Sequence, residues 1–234
     1  MGTTETDTIH DAYREGRERL VAWGSTLAEH DTAAPVPALP GWTVRDTFAH
    51  LSGLAADVLS GGLSGPPDDD TTARQVAERA GRSLDEILDE WTANGAAIDQ
   101  LLADLGRAAP IQVAIDVWSH EVDMRSALGV ALPDGGVAER FLRRATRRGI
   151  GRGWPDDVPA LRIVTEDDDW VAGSGAPAGT LTISMFELGR TMLGRRSPAQ
   201  MAAFDWSGAD PTPWIAALPV FGPAEIDVVD SPRA

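Results

Sequence analysis

Apolar residues in the first half of the chain recur at helical spacing. Between Thr8 and Ala28, Ile9, Tyr13, Leu20, Trp23 and Leu27 fall mostly on one side of a helix whose other faces carry Arg and Glu. His30 to Pro40, rich in Pro and Ala, reads as a connector that ends in Pro40-Gly41-Trp42. Thr43 then stands as a helix N-cap with Asp46 three residues on, a pairing that satisfies free backbone N–H groups reciprocally. The second helix so begun carries the stripe Val44, Phe48, Leu51, Leu54 and Leu59, with His50 on its middle turns. Gly61 to Thr72, with its glycines, prolines and the run Asp68-Asp69-Asp70, predicts a mobile acidic loop. Ser83 with Glu86 opens a third helix through Leu84, Ile87, Leu88, Trp91, Ile98, Leu101, Leu102 and Leu105, closed by Gly106. A fourth, Ile111 to Leu128, stops at Gly129.

The texture changes after that. Val137 to Arg148 predicts a fifth helix, lined by Arg140, Arg143, Arg144, Arg147 and Arg148 and followed by a glycine-rich turn, Gly149 to Gly153. Beyond Trp154, four short β-prone runs are expected at Leu161–Thr165, Trp170–Ala172, Thr180–Ile183 and Ile226–Val229. Between them, Ser184 with Glu187 and Ser197 with Pro198 and Gln200 mark two more capped helices. The fold class is therefore α+β: a four-helix bundle with a bridging helix over 1–153 and a small α+β domain over 154–234.

Composition narrows the chemistry. The 234 residues contain no cysteine, which excludes disulfides, thiolate metal sites and a thiol nucleophile supplied by the protein. Any sulfur chemistry must use a thiol from outside. A net charge of -16 repels phosphate backbones and anionic lipid, so nucleic acid and membrane surfaces are not expected partners. Met1 to His10 is polar and lacks the basic-then-apolar order of a signal peptide, and no stretch is apolar enough to span a bilayer, so a cytoplasmic location is expected.

Of the four histidines, His50 and His120 fall within predicted bundle helices. Asp116 precedes His120 by four residues, which puts carboxylate and imidazole on one side of the fourth helix. That spacing also suits a simple hydrogen-bonded polar pair. If the second and fourth helices pack together, His50 completes a His, Asp, His set that could hold a metal and leave positions open. Glu121, about 100° round the helix, should face elsewhere, and Asp123 is expected to hold Arg125 or a loop, with either acid also available behind the site.

Three stretches carry a family resemblance. Gly41-Trp42-Thr43-Val44-Arg45-Asp46 through Ala49-His50-Leu51 resembles the second helix of DinB-like bundle proteins, specifically the mycothiol-dependent maleylpyruvate isomerase family. Asp116-Val117-Trp118-Ser119-His120-Glu121-Val122-Asp123-Met124-Arg125 is similar to that family's second metal motif. Arg190-Thr191-Met192-Leu193-Gly194-Arg195-Arg196-Ser197-Pro198, followed by Asp205-Trp206-Ser207-Gly208, resembles its small C-terminal domain. The resemblance implies a divalent metal, usually zinc, on His50, His120 and the acid one turn before His120. The family has Glu there, and this chain has Asp116, one methylene shorter.

The resemblance further implies mycothiol as a thiol cofactor, whose thiolate adds to a conjugated double bond, allows rotation and is expelled. A transferase would stop at the adduct. An anionic or electrophilic small substrate calls for cationic partners, for which Arg190, Arg195 and Arg196 are the candidates, Arg195 first. Trp42 and Trp118 are expected to wall the cofactor pocket. Two further readings stay open: a non-catalytic ligand- or partner-binding bundle with a structural metal, and a metal hydrolase acting through bound water.

Overall fold

The computed structural model describes residues 8–61, 65 and 67–233, so the polar start over 1–7 and part of the expected acidic loop lie outside the described residues. The chain divides into two compact units, one running to Ala138 and resumed from Asp230, the other Glu139–Val229. The division falls in the first turn of the fifth predicted helix.

In the first unit the bundle consists of α1 (Ile9–Gly24), α3 (Val44–Leu59), α5 (Leu84–Leu105) and α6 (Gln112–Ala127). They form a ring of contacts: α1 packs on α5 and α6, and α3 packs on the same two. Leu20, Val44, Phe48, Ile87, Trp91, Ile98, Ala114 and Met124 fill the space between them. Trp91 donates its indole N–H to the Tyr13 hydroxyl at 3.1 Å, so this large buried ring leaves no polar atom unmet. The N-caps of α3 and α5 are capping boxes at Thr43/Asp46 and Ser83/Glu86, as their sequences predict, and a third at Thr8/Asp11 opens α1.

Two connections differ from the expected ones. The stretch before α3 contains one helical turn, α2 (Glu29–Thr32), and a short β-bridge between Pro35 and Thr43. Hydrogen bonds from the Val36 N–H to the Trp42 carbonyl and from the Val44 N–H to the Ala34 carbonyl fix Trp42 at the mouth of α3. The acidic run is no loop. Asp68 is the N-cap of α4 (Asp69–Ala77), accepting from the Thr71 N–H at 2.9 Å, and Asp69 and Asp70 occupy the first turn, where carboxylates complement the helix dipole. The helix packs against α3. Among the described residues no helix is long and apolar enough to cross a membrane.

The second unit begins within α7 (Gly136–Gly153), which continues through the glycines expected to end it. A Cβ at Gly149 would come within 2.5 Å of the Met192 sulfur, so the glycine permits a close approach whose packing outweighs its poor helix propensity. The sheet has the order β2-β1-β3-β4, built from β1 (Leu161–Val164), β2 (Asp169–Ala172), β3 (Gly179–Thr182) and β4 (Asp205–Gly208). β1 pairs antiparallel with β2 and parallel with β3, and β4 pairs antiparallel with β3.

The helices α8 (Met185–Met192), α9 (Pro198–Ala202) and α10 (Thr212–Ala217) complete the unit, with Leu161, Ile163, Leu181, Leu188 and Trp214 in its core. The expected strand at Ile226–Val229 does not form. The Gln200 amide takes both backbone groups of Val228, donating to its carbonyl at 2.8 Å and accepting from its N–H at 3.2 Å, and the ladder role passes to Asp205–Gly208. The molecule is α+β, with a helical unit and a small mixed sheet.

Thr43 both starts the helix that carries His50 and closes its capping box, so Thr43→Ala should lower unfolding free energy by about 1 kcal/mol in urea titration.

Candidate metal centre

The packing of α3 against α6 brings together three side chains. His50 and His120 are buried, and Asp116 is half-buried between them. The His120 Nε2 lies 3.4 Å from Asp116 Oδ1, and the His50 Nε2 lies 3.6 Å from Asp116 Oδ2. The imidazole centroids are 5.2 Å apart with the ring planes at 82°. All three potential ligand atoms lie within 4.8 Å of one another. Ligands about 2.0–2.1 Å from a tetrahedral zinc stand roughly 3.4 Å apart, so these separations suit a shared ion.

A second observation favours that fit. Asp116 Oδ2 is inaccessible to solvent and has no hydrogen-bond partner, a costly state for a charged oxygen that an ion on the same side would relieve. The donor set, two imidazoles and a carboxylate, is one that zinc and similar divalent ions accept. The shorter arm of Asp116 therefore does not prevent convergence.

Behind each imidazole stands a hydrogen-bond acceptor. His120 Nδ1 is 3.2 Å from Asp123 Oδ2, and His50 Nδ1 is 2.8 Å from Gln75 Oε1 on α4. Asp123 thus backs His120 and does not hold Arg125, which lies two positions on and so about 200° round the helix. Arg125 pairs instead with Glu121, at 2.9 Å, and Glu121 also takes Arg19 of α1 at 2.6 Å. Glu121 faces away from the site, as expected. Gln75 carries no sequence signal, because it lies between the expected loop and the third helix, where no element is predicted, and a glutamine is chemically unremarkable.

Burial works against the charged form of His120, but the Asp116 carboxylate and then Asp123 outweigh it, pushing its pKa up to about 9. Burial likewise opposes the Asp116 charge, and His120 and His50 overcome that, holding its carboxyl far below the usual range.

Trp42 meets the site, with its ring centroid 5.2 Å from that of His50. Trp118, two positions from both Asp116 and His120, lies about 200° round the helix from them and is buried. The three arginines belong to the second unit. Arg190 is fully buried on α8; Arg196 is buried and forms a two-pronged ion pair with Glu187; and Arg195, half-buried, donates to the Leu193 carbonyl at 2.6 Å, at the C-terminal end of α8.

The first unit is thus a helical bundle with a two-histidine, one-carboxylate cluster whose spacing could hold a metal ion. Residues 13–128 match the family model described as the mycothiol maleylpyruvate isomerase N-terminal domain. The helical unit is thus similar to the N-terminal domain of mycothiol-dependent maleylpyruvate isomerases. Its fold is similar to a crystal structure of the mycothiol-dependent maleylpyruvate isomerase, with a TM-score of 0.59 and 17% identity over 87% of this chain and 93% of that one. A histidine-to-alanine mutant of such an isomerase gives a TM-score of 0.56 and 16% identity over the same shares. No curated protein matches the sequence.

A metal must displace the His120 proton, so zinc binding near neutral pH should release protons, seen as buffer-dependent calorimetric heats. The sign for the metal-free protein follows from the raised pKa. The stabilisation from charged His120 is complete below about pH 6.5 and is lost as pH rises through about 9, so thermal stability should fall over that window, and His120→Asn should flatten the fall. Asp123→Asn should weaken zinc binding about 10–100-fold in a chelator competition.

Proposed function

We propose that the protein is a metal-dependent enzyme that uses an external low-molecular-weight thiol, mycothiol, for cis-trans isomerisation or S-transfer on an anionic or electrophilic small molecule. The observation that carries this reading is the convergence of His50, Asp116 and His120, with an orphaned carboxylate oxygen at its centre, in a helical unit that matches the isomerases' N-terminal domain. The absence of cysteine supports it, because no side chain offers a thiol and a thiol nucleophile must come from outside.

The three side chains would hold the ion with positions left open, and a divalent ion such as zinc lowers the pKa of a thiol bound to it, supplying a thiolate near neutral pH. Asp123 and Gln75 keep the imidazoles turned toward Asp116. Trp42 presents an apolar ring beside His50 and supports a wall for the thiol or its adduct. Bound there, the external thiol would supply the nucleophile for a reversible conjugate addition to the substrate's double bond, with its expulsion giving the trans isomer and its retention the transfer product. For the substrate's anionic group Arg195, half-buried in the second unit, is the first proposed partner, with Arg190 and Arg196 as the other candidates.

Turnover of a cis-enedioate-type substrate should require both a divalent ion and a thiol. His120→Ala should remove metal and reduce turnover by at least 100-fold together, and Arg195→Gln should raise KM with metal content unchanged. Calorimetry with mycothiol, with and without zinc, separates the alternatives: an ion that serves structure alone leaves the thiol's binding unaltered. Water-dependent cleavage that persists without thiol would mark a hydrolase. Metal-replete protein with neither thiol binding nor thiol-dependent turnover would overturn the proposal.

A further inference from the structure

The acidic stretch that becomes α4 has a use that its sequence does not announce. Gln75, near the end of that helix, is completely buried and sits between two groups. Its Oε1 lies 2.8 Å from His50 Nδ1, and its Nε2 lies 2.6 Å from Asp57 Oδ2 on α3. Asp57 is also paired with Arg74 at 2.6 Å. Burial works against the Asp57 charge, but Gln75, Arg74 and Arg79 outweigh it, holding its carboxyl below the usual range. An ionised carboxylate only accepts hydrogen bonds, so the NH2 of Gln75 must face Asp57. The amide oxygen then faces His50, and an amide oxygen only accepts. Nδ1 must therefore carry the proton, and the lone pair of the neutral ring is left on Nε2, the atom on the Asp116 side.

The backbone of this segment is anchored for the purpose. Arg79 donates to the Gln75 carbonyl at 3.0 Å and forms a two-pronged pair with Glu90 of α5. Gly53, one turn after His50, lets α4 come close: a Cβ there would lie 2.7 Å from the Gln75 Cβ and 2.8 Å from an Arg79 guanidinium nitrogen. His120 is backed differently, by the Asp123 carboxylate. The two imidazoles thus rest on a neutral amide and on a charged group.

We propose that Gln75 is a positioning residue that, oriented by Asp57, locks His50 in its Nδ1–H tautomer so that Nε2 is ready to ligate. The idea rests on the metal-centre reading for its purpose but not for its test. The relay predetermines a tautomer that an imidazole in water does not favour, so removing it should cost metal affinity without touching a ligand.

Nitrogen-15 spectra of the histidine rings in the metal-free protein, recorded over a pH series, read directly which nitrogen of the neutral ring carries the proton. The native chain should show His50 protonated on Nδ1. Gln75→Leu, which removes the acceptor at similar volume, should move the proton to Nε2 and weaken zinc binding about 10–100-fold, with the His120 signals unchanged. Asp57→Ala should give a mixture of tautomers. Asp57→Asn should restore the native one, because both Arg74 and Gln75 donate to a single oxygen of this side chain. A native His50 protonated on Nε2, or a Gln75→Leu protein with unchanged tautomer and affinity, would overturn the proposal. Should Gln75→Leu disturb the fold, displaced His120 signals will reveal it, and the Asp57 pair decides. A protein that takes up no zinc would defeat the metal-centre reading, while the tautomer comparison would still decide this one.

Discussion

The charge on Asp116, shared by two imidazoles from helices distant in sequence, is the constraint around which the bundle is arranged. His50 and His120 are buried, and an imidazole out of water must have its ring nitrogens met. Each gives Nδ1 to a fixed acceptor and turns Nε2 toward one carboxylate. The surrounding packing serves that geometry. The contact of α3 with α6 sets the spacing, the bridge before α3 places Trp42 over His50, and α4 closes on α3 through Gly53. Without an ion the arrangement leaves one buried carboxylate oxygen unpartnered. A bundle evolved only for stability would gain by replacing such a group with a hydrocarbon.

Charge elsewhere in the first unit is handled by direct pairing. Arg19 and Arg125 neutralise Glu121 on the same helix as the site, Arg17 reaches Asp99, and Arg79 takes Glu90. Arginine suits this role because its fork can reach both oxygens of a carboxylate, as Arg79 does with Glu90, and remains charged when buried. The consequence is that Glu121, adjacent in sequence to His120, does not compete for the centre. Its charge is spent on the opposite flank, and the site keeps one carboxylate facing the two Nε2 atoms.

Most of the bundle is legible from periodicity and capping. Thr43/Asp46 and Ser83/Glu86 announce helix starts because the chemistry that satisfies free N–H groups is local, and His50, Asp116 and His120 are found because four-residue spacing forces two of them onto one side. The failures share a cause: a tertiary contact overrides a local preference. Asp68-Asp69-Asp70 has loop composition, yet the same carboxylates are favourable at a helix start, and the contact of α4 with α3 decides. The glycines after Arg148 read as a turn, but the packing of Met192 on Gly149 keeps them helical. Ile226–Val229 has strand-like residues with no edge to join, because the Gln200 side chain takes Val228's hydrogen bonds first. Gln75 was invisible because its importance lies wholly in whom it touches. Trp118 differs for the opposite reason: it lies two positions from both Asp116 and His120, and helical geometry turns it about 200° from them.

The aspartate at 116, where the family it resembles has glutamate, has an implication of its own. A shorter arm has one rotor fewer to immobilise, so less side-chain freedom is lost when its oxygens are held in place. It also swings through a smaller arc. A carboxylate that cannot follow a displaced ion makes the cavity stiff, and stiffness is what allows a coordination shell to sort cations by radius instead of accommodating whichever arrives.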